Sequence, residues 1–379
     1  MVKNKIYKYL LSEVIKNFIT ILLTFTAIAW VVRAVNFLDL IVEDGYSSFI
    51  YIKYSLLNIT TIITRFVPLS FLLSLVISIV KFEKQRELLI LWTSGMAKIK
   101  IANVFLFIAF FITLFQLILS IFINPFLLSK SRSLLSDTEG MQYYSVLRTN
   151  DFSDTFKSIT FYVEEKNEKN ELKNIFIKDV GGNLNTLTDQ VGNKKNLTIV
   201  AKKGFIVNNK LILYDGIIQT LTIKNEFKDI VFEKTELSLI NIATRTIKKA
   251  KIQETSSNSL IRCLFSQNNN SDLENCSENF KNESIQNLSR RLGAPLYVPL
   301  ISIIISFLLI NSKEKKYSFL KKYILFAITF TILLLAEIIL KFTGFSTLIA
   351  NSYFILPVAV SLFFYIFLLK KLITEKIVK

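Results

Sequence analysis

IANVFLFIAFFITLFQLILSIFI, residues 101–123, is an apolar run without a charged side chain. A helix of about 20 such residues crosses the roughly 30 Å hydrocarbon core of a bilayer. Runs of similar length and composition recur along the chain, at about 18–38, 56–80, 99–123, 294–310, 321–340 and 353–369. The sequence therefore predicts an α-helical membrane protein with six transmembrane helices.

The composition of the 379-residue chain agrees with this prediction, since 51% of its residues are hydrophobic. The chain has no histidine and two cysteines. Ser-His-Asp and Cys-His nucleophile pairs and histidine metal ligands are therefore excluded, and two cysteines cannot complete a structural zinc site. Hydrolases of these kinds and zinc proteins are excluded as function classes.

Lysine and arginine are distributed unequally among the short loops. Eighteen of them lie in residues 1–17, 81–100, 311–322 and the tail from 370, whereas the alternate loops hold only Lys53 and Lys341. By the positive-inside rule, both termini are cytoplasmic and the long segment 124–293 is extracytoplasmic. The net charge of +17 then reflects topology and anionic lipid, so it does not indicate nucleic-acid binding.

The middle of the extracytoplasmic segment has the alternation of short β-strands. Seven strands are predicted, at 159–163, 175–180, 197–201, 204–207, 211–214, 217–223 and 230–232. Turn residues separate several of them, at Gly181-Gly182-Asn183, Asn208-Asn209 and Asp215-Gly216. This pattern favours an antiparallel sandwich or an all-β jelly-roll-like domain between helices three and four.

The predicted domains are transmembrane helices one to three in 1–123, the β domain in 124–253, a connector in 254–293, and helices four to six in 294–379. The connector is rich in Ser, Asn and Glu, a composition typical of flexible segments. Cys263 and Cys276 lie in it with 12 residues between them. In an oxidising compartment they could form a disulfide, and the alternative is two free thiols.

The cytoplasmic loop KFEKQRELLILWTSGMAKIK, residues 81–100, predicts a short amphipathic helix over about 81–98. A charged first turn precedes an apolar patch and a helix stop, formed by Leu88, Leu89, Leu91, Trp92 and then Ser94-Gly95. An apolar patch on a loop helix suits the groove of a partner protein. The alternative is a solvated connector whose charges only set the topology.

At this loop the sequence resembles a family, the LptF/LptG permeases, which are the transmembrane subunits of the lipopolysaccharide export ABC transporter. Glu87-Leu88 followed by Thr93-Ser94-Gly95 is similar to the signature of the family's coupling helix. Other matching features follow in the family's order: Tyr7-Lys8-Tyr9-Leu10 with Glu13, Pro68 in span two, the β domain, and Arg290-Arg291-Leu292 with Pro295.

The stretch from Trp30 to Ser47, with Arg33 and Asp39, looks more like the LptF branch. The connector around Cys263 and Cys276 departs from the compact family pattern, so no family role is carried onto it.

The resemblance implies that the chain extracts lipopolysaccharide from the bacterial inner membrane as one half of a transporter. Its implied partners are a paralogous LptG-type permease, a cytoplasmic LptB-type ATPase dimer and periplasmic LptC/LptA-type jelly-roll proteins. No G-x-x-x-x-G-K-[ST] phosphate loop occurs in the sequence, so ATP and Mg²⁺ are expected in the ATPase and no cofactor in this chain. Glu87, Leu91 and Trp92 would lie in a groove of that ATPase.

Charged residues in the spans are the second group of candidates, because intramembrane charges are costly unless they are paired or functional. The resemblance places Arg33 against the anionic head of lipopolysaccharide, whereas a snorkelling arginine or a pair with Asp39 are alternatives. Arg65 and Glu337 either pair across helices or line a polar cavity. Glu337 could also pair with Lys341, one turn away.

Two other function classes stay open. A mechanotransmitting ABC permease relative moves no lipid, but it usually has four spans. A secondary transporter carries its ion site near the membrane midplane, and neither half of this sequence has paired acidic residues there. A membrane enzyme is the weakest alternative, because few polar groups lie within the predicted spans.

Overall fold

The computed structural model describes residues 2–42, 47–146, 149–156, 159–167, 171–180, 197–207, 210–221, 227–238, 251–265, 278–310 and 315–377. Among them, six helical segments are long and apolar enough to cross a membrane: Lys5–Asn36, Ser48–Lys84, Lys98–Leu135, Phe280–Leu309, Leu320–Phe342 and Thr347–Leu372. We number these segments as spans one to six. The prediction of six transmembrane helices is confirmed.

The chain forms two compact units. The membrane unit consists of Met1–Val32, Asn58–Ser129 and Lys251–Lys379, and the β unit consists of Arg33–Leu57 and Lys130–Ala250. The described parts of the predicted connector, residues 254–265 and 278–293, are grouped with the membrane unit.

The described α-helices are, in chain order, α1 (Val2–Asn36), α2 (Asp39–Val42), α3 (Ser48–Leu57), α4 (Ile59–Lys84), α5 (Glu87–Thr93), α6 (Lys98–Ile118), α7 (Asn124–Val146), α8 (Ser257–Phe265), α9 (Glu278–Leu288), α10 (Tyr297–Ser306), α11 (Lys315–Phe342) and α12 (Thr347–Ile377). A π-helical turn, Leu119–Ile123, joins α6 to α7. A second one, Ser289–Gly293, follows α9 and leads towards α10.

Span four forms the centre of the membrane unit. Within its most apolar window 72% of the residues are buried, whereas the corresponding share is 17% in spans one, five and six. Val298, Ile301 and Ile305 of α10 share one apolar core with Phe71 of α4 and Phe105 of α6. Spans one, five and six therefore leave most of their apolar surface open to lipid or to another membrane protein.

Helices α8 and α9 occupy part of the segment whose composition predicted a flexible connector. The Ser256 hydroxyl accepts a hydrogen bond from the Ser259 backbone N–H at 3.1 Å, which caps the start of α8. Leu260 and Cys263, three residues apart, are both 1% exposed and anchor the helix on one face. Spacing and capping thus decide the local structure here, and the serine-rich composition does not.

The β unit contains one six-stranded antiparallel sheet among the described residues. Its strands are β1 (Phe152–Phe156), β2 (Ile159–Lys166), β3 (Glu171–Asp179), β4 (Leu197–Val207), β5 (Lys210–Leu221) and β6 (Phe227–Ser238). They lie in chain order, so the predicted antiparallel β domain is confirmed. This order is a meander, and the Greek-key connections of a jelly roll do not occur among the described strands.

The Asp215-Gly216 pair, predicted as a turn, lies inside β5. Asp215 has φ 51° and Asn174 in β3 has φ 48°, and the strand registers place Lys202 of β4 opposite both. Pairing continues in the same register on each side of this row, so the strands bend without reversing. For the same reason, the predicted strands 197–201 and 204–207 form one strand, β4. The predicted strand 211–214 and the described part of 217–223 form one strand, β5.

The bent sheet closes around one apolar core. In β5 the buried positions are Leu211 and Leu213 before the bend, and they shift to Gly216 and Ile218 after it. Both sets therefore face the same interior. A Cβ atom at Gly216 would lie 2.4 Å from the Val200 carbonyl oxygen, so the bend needs glycine at this close approach.

Candidate functional site

Helix α5 is a separate short helix at the end of span two. It follows Arg86, whose φ of 59° breaks the continuation of α4. It ends in a Schellman motif, in which the Met96 N–H donates to the Leu91 carbonyl at 3.0 Å and the Gly95 N–H to the Trp92 carbonyl at 3.1 Å. Gly95 has φ 84°, which explains the predicted stop at Ser94-Gly95. The predicted helix over 81–98 is therefore shortened to Glu87–Thr93, and residues 81–84 belong to α4.

The apolar residues of α5 face in two directions. Leu88 is 3% exposed in the core of the membrane unit, and Leu91 and Trp92 are half-buried against that core. Leu89 and Ile90 are 56% and 61% exposed. The residues expected to meet a partner thus lie mostly against the protein itself, and Ile90 was not among the predicted residues.

Glu87 ties α5 to span one. The Tyr9 hydroxyl donates a hydrogen bond of 2.9 Å to Glu87 Oε1. The other carboxylate oxygen, Oε2, is buried and has no hydrogen-bond partner among the described residues. The hydrogen bond from Tyr9 thus leaves one carboxylate oxygen of Glu87 without a donor in the described part of the chain.

Two ion pairs connect the same end of the membrane unit. Lys81, in the last turn of α4, pairs with Glu13 of span one, whose side chain is 14% exposed. Glu83 pairs with Lys322 of span five at 2.7 Å. We call these two pairs and the Tyr9–Glu87 hydrogen bond the coupling contacts. Sequence reasoning missed them, because partners 68 residues apart, such as Glu13 and Lys81, are brought together only by the packing of the spans.

A polar cavity of about 90 Å³ lies near the opposite end of the membrane unit. Arg65 and Glu337 both line it, together with Arg290 and Arg291. The structure thus brings together the two intramembrane charges that the sequence analysis selected. It records no ion pair between Glu337 and Lys341, both of which are described.

Amide side chains fix one wall of this cavity. Gln116 Nε2 donates to the Thr64 carbonyl at 3.1 Å, and Asn124 Nδ2 donates to the Thr64 hydroxyl at 3.0 Å. Gln116 Oε1 and Asn124 Oδ1 are buried and have no hydrogen-bond partner among the described residues. Since buried polar atoms are normally satisfied, this wall retains capacity to accept hydrogen bonds.

Arg291 has a mainly structural role in the cavity wall. Its guanidinium donates to the Ser257 hydroxyl at 2.8 Å and to the carbonyls of Ile252, Gln253 and Thr255 at 3.3, 3.1 and 3.0 Å. These bonds fix the chain that enters α8 against the start of span four. Arg291 is 5% exposed, so most of its charge is engaged inside the protein.

The part of the chain that contains the spans, the β unit and α5 is similar to a known family. Residues 8–371 match the family described as lipopolysaccharide export system permease LptF/LptG. The chain belongs to this family. A search of curated proteins returned no match.

Membership of the LptF/LptG family makes the chain a multi-pass inner-membrane subunit of lipopolysaccharide export, a transport subunit and not itself an enzyme. The family description includes both LptF and LptG, so the LptF-like branch stays a prediction. Among the described residues, no group of three or more Cys, Asp or Glu could hold a metal ion.

Two further predicted sites belong neither to α5 nor to the lining of the cavity. Arg33 is half-buried in the last turn of α1, in the β unit. Asp39 begins α2, and its side chain lies outside the described part of the chain. Cys263 is buried and disulfide-bonded. Its predicted partner, Cys276, lies outside the described residues, so the pairing stays a prediction.

Proposed function

We propose that this chain is the permease half of an ABC transporter that extracts lipopolysaccharide from the inner membrane and passes it to a periplasmic bridge. The hydrogen bond between Tyr9 and Glu87 carries the proposal beyond family membership, because it joins the loop helix to a membrane span. ATP and Mg²⁺ are bound by a separate LptB-type ATPase dimer. This chain binds no cofactor of its own.

The coupling contacts give the ATPase a mechanical route into the membrane. The ATPase groove would receive the exposed Leu89 and Ile90, and its closure would move α5. Movement of α5 would act on span one through Tyr9, while the end of α4 acts on spans one and five through its two ion pairs.

The exposed faces of spans one and five suit the other half of the transporter. Only 17% of the most apolar window of each span is buried within this chain. A paralogous LptG-type permease would cover part of these faces and form a pseudo-twofold dimer. Lipopolysaccharide would enter between the two halves. Arg33 would contact its anionic head, and separately Arg65 and Glu337 would line a polar cavity for it.

The β unit would pass the lipid onward. Its bent sheet encloses an apolar interior in which Ile177 and Ile199 are paired and fully buried. Acyl chains would occupy this interior when the sheet opens, and LptC/LptA-type jelly-roll proteins would continue the path. In this topology the β unit is periplasmic and both termini are cytoplasmic.

Photo-crosslinking of the assembled transporter in cells tests this function. A photoreactive amino acid replaces Arg33, Ile177 or Ile199, and adducts with lipopolysaccharide are measured with active and inactive ATPase. We expect ATP-independent adducts at Arg33 and ATP-dependent adducts at the two isoleucines. A folded complex that forms no adduct at any of the three positions would contradict the proposal and favour a mechanotransmitting relative.

A further inference from the structure

An open groove separates the beginnings of spans one and three. It has a volume of about 620 Å³ and is lined by residues of α1 and α6. Lys8 and Lys100 are among its lining residues and are close to the ends of the spans that the positive-inside rule places on the cytoplasmic side. The groove is therefore far along the spans from the cavity that Arg65 and Glu337 line.

The charge in this groove is not compensated within the described chain. Lys8 and Lys100 are both exposed, and the structure records no ion pair for either with a described residue. None of the described residues that line the groove is acidic. Lys81 and Lys322, at the same end of the membrane unit, are both paired with glutamates. Two lysines that line one groove, with no carboxylate among its described lining residues, favour an anion there.

Two further polar groups face the same space. The Tyr365 hydroxyl donates to Asn103 Oδ1 at 3.2 Å, which fixes the orientation of the Asn103 amide. Asn103 keeps its Nδ2 group as a donor, and Tyr7 is a further lining residue that carries a hydroxyl. Neutral donors beside two ammonium groups are suited to the several oxygens of a phosphate.

The wall next to these polar groups is apolar. Leu11 lies one turn after Lys8 on α1, and Val104 and Phe107 lie one and two turns after Lys100 on α6. The Phe107 ring is 53% exposed. A cationic end that continues directly into an apolar wall matches a molecule with a phosphate head and an acyl chain.

We propose that this groove binds an anionic phospholipid of the cytoplasmic leaflet. The phosphate would lie between Lys8 and Lys100, and one acyl chain would run along Leu11, Val104 and Phe107. Basic pockets between transmembrane helices on the cytoplasmic side recognise such headgroups. A soluble protein segment is a poorer occupant, because Val104 and Phe107 belong to the apolar run 101–123, which is long enough to cross a membrane.

Native mass spectrometry of the purified full chain in detergent tests this site. The chain is titrated with phosphatidylglycerol, phosphatidylcholine or lipid A, and bound lipid is compared with that of the K8Q/K100Q variant. We expect selective retention of phosphatidylglycerol over phosphatidylcholine, and at least about a tenfold loss of phosphatidylglycerol affinity in the variant. The K5Q/K16Q variant removes the same charge from exposed positions of α1 outside the groove, and should stay within about twofold of the parent.

A second variant tests the acyl-chain wall separately. V104W fills the groove and should weaken phosphatidylglycerol binding while both lysines remain. Equal binding of phosphatidylcholine and phosphatidylglycerol, undiminished binding in K8Q/K100Q, or a loss confined to lipid A would overturn the proposal. A photoreactive group at Tyr7 that captures a protein in cells and no lipid would also overturn it. The measurement requires no transport, so its result is independent of the proposed export function.

Discussion

Polar groups are arranged differently at the two ends of the membrane unit. At the end that carries α5, Glu13 and Glu83 are paired with lysines and Glu87 accepts a hydrogen bond from Tyr9. Near the opposite end, polar groups surround a cavity. Gln116 and Asn124 there retain buried oxygens without partners among the described residues.

The difference indicates that the two ends of the membrane unit have different functions. Paired charges fix the relative positions of α4, α5 and spans one and five, so a force on one of them is passed to the others. A cavity with unused hydrogen-bonding capacity can instead accept a polar group from outside. We therefore expect energy coupling at the first end and contact with the lipid headgroup at the second.

Of the substitutions considered, reversal of the charge at Glu87 should have the largest effect on lipopolysaccharide release. In E87K the Tyr9 hydrogen bond is lost and a lysine replaces the carboxylate at the start of α5. We expect at least about a tenfold loss of ATP-driven lipopolysaccharide release from proteoliposomes. Coupling between two linked sites in a protein is typically of about this size. Q85K adds positive charge at the exposed residue two positions earlier and should leave release near the parent level. Full release and ATPase association in E87K would remove Glu87 from the coupling contacts.

The Glu13–Lys81 pair offers a test by charge exchange. E13K places two positive charges together at a glutamate that is only 14% exposed, so export should fall about tenfold. The double exchange E13K/K81E restores opposite charges and should recover most of the loss. If E13K and the double exchange are equally impaired, the contact is not what connects span one to α4.

Reversal of the charge at Arg65, in the cavity lining, should have a smaller effect. It should change the contact with lipopolysaccharide and leave the ATPase activity coupled. R65E changes the charge beside Glu337 and should reduce lipopolysaccharide adducts at Arg33 about fivefold, while ATPase activity stays coupled to the rest of the complex. The exposed Lys341 lies outside the cavity lining, so K341E serves as the matched control. Unchanged export in R65E would remove Arg65 from the substrate path.

Loss of the Tyr9 hydroxyl should have the smallest effect. Y9F removes one hydrogen bond to Glu87 and keeps the ring, and Tyr9 is 45% exposed, so water can partly replace the bond. We expect about a two- to threefold decrease in lipopolysaccharide release per ATP hydrolysed. Y214F removes a hydroxyl from the β unit and should not change this ratio. A Y9F loss as large as that of E87K would show that the hydroxyl itself, and not the carboxylate, carries the coupling.

The sequence predicts the elements of this fold better than their contacts. Long apolar runs identify the six spans because no water is available in the membrane to satisfy an irregular backbone. The stop at Ser94-Gly95 was predictable for a similar local reason, since Gly95 adopts a positive φ. The coupling contacts depend on how distant spans pack, and alternation or composition does not encode that packing.

The β unit shows the same limit. Period-2 alternation located most strands, but Asp215-Gly216 was interpreted as a turn because those residues are common in turns. Whether such a pair reverses the chain or only bends a strand depends on pairing with the neighbouring strands, which here continues through β5. On α5 the inward orientation of Leu88 and Trp92 likewise follows from the spans beneath it.

We propose that movement of α5 drives lipid from the membrane into the β unit. Crosslinking at Ile177 in the E87K background tests this step. The assembled transporter carries a photoreactive residue at Arg33 or Ile177 and is supplied with ATP. We expect E87K to keep the lipopolysaccharide adduct at Arg33 and to lose the adduct at Ile177. An Ile177 adduct as abundant in E87K as in the parent would contradict it, because lipid would then reach the β unit without the coupling contacts.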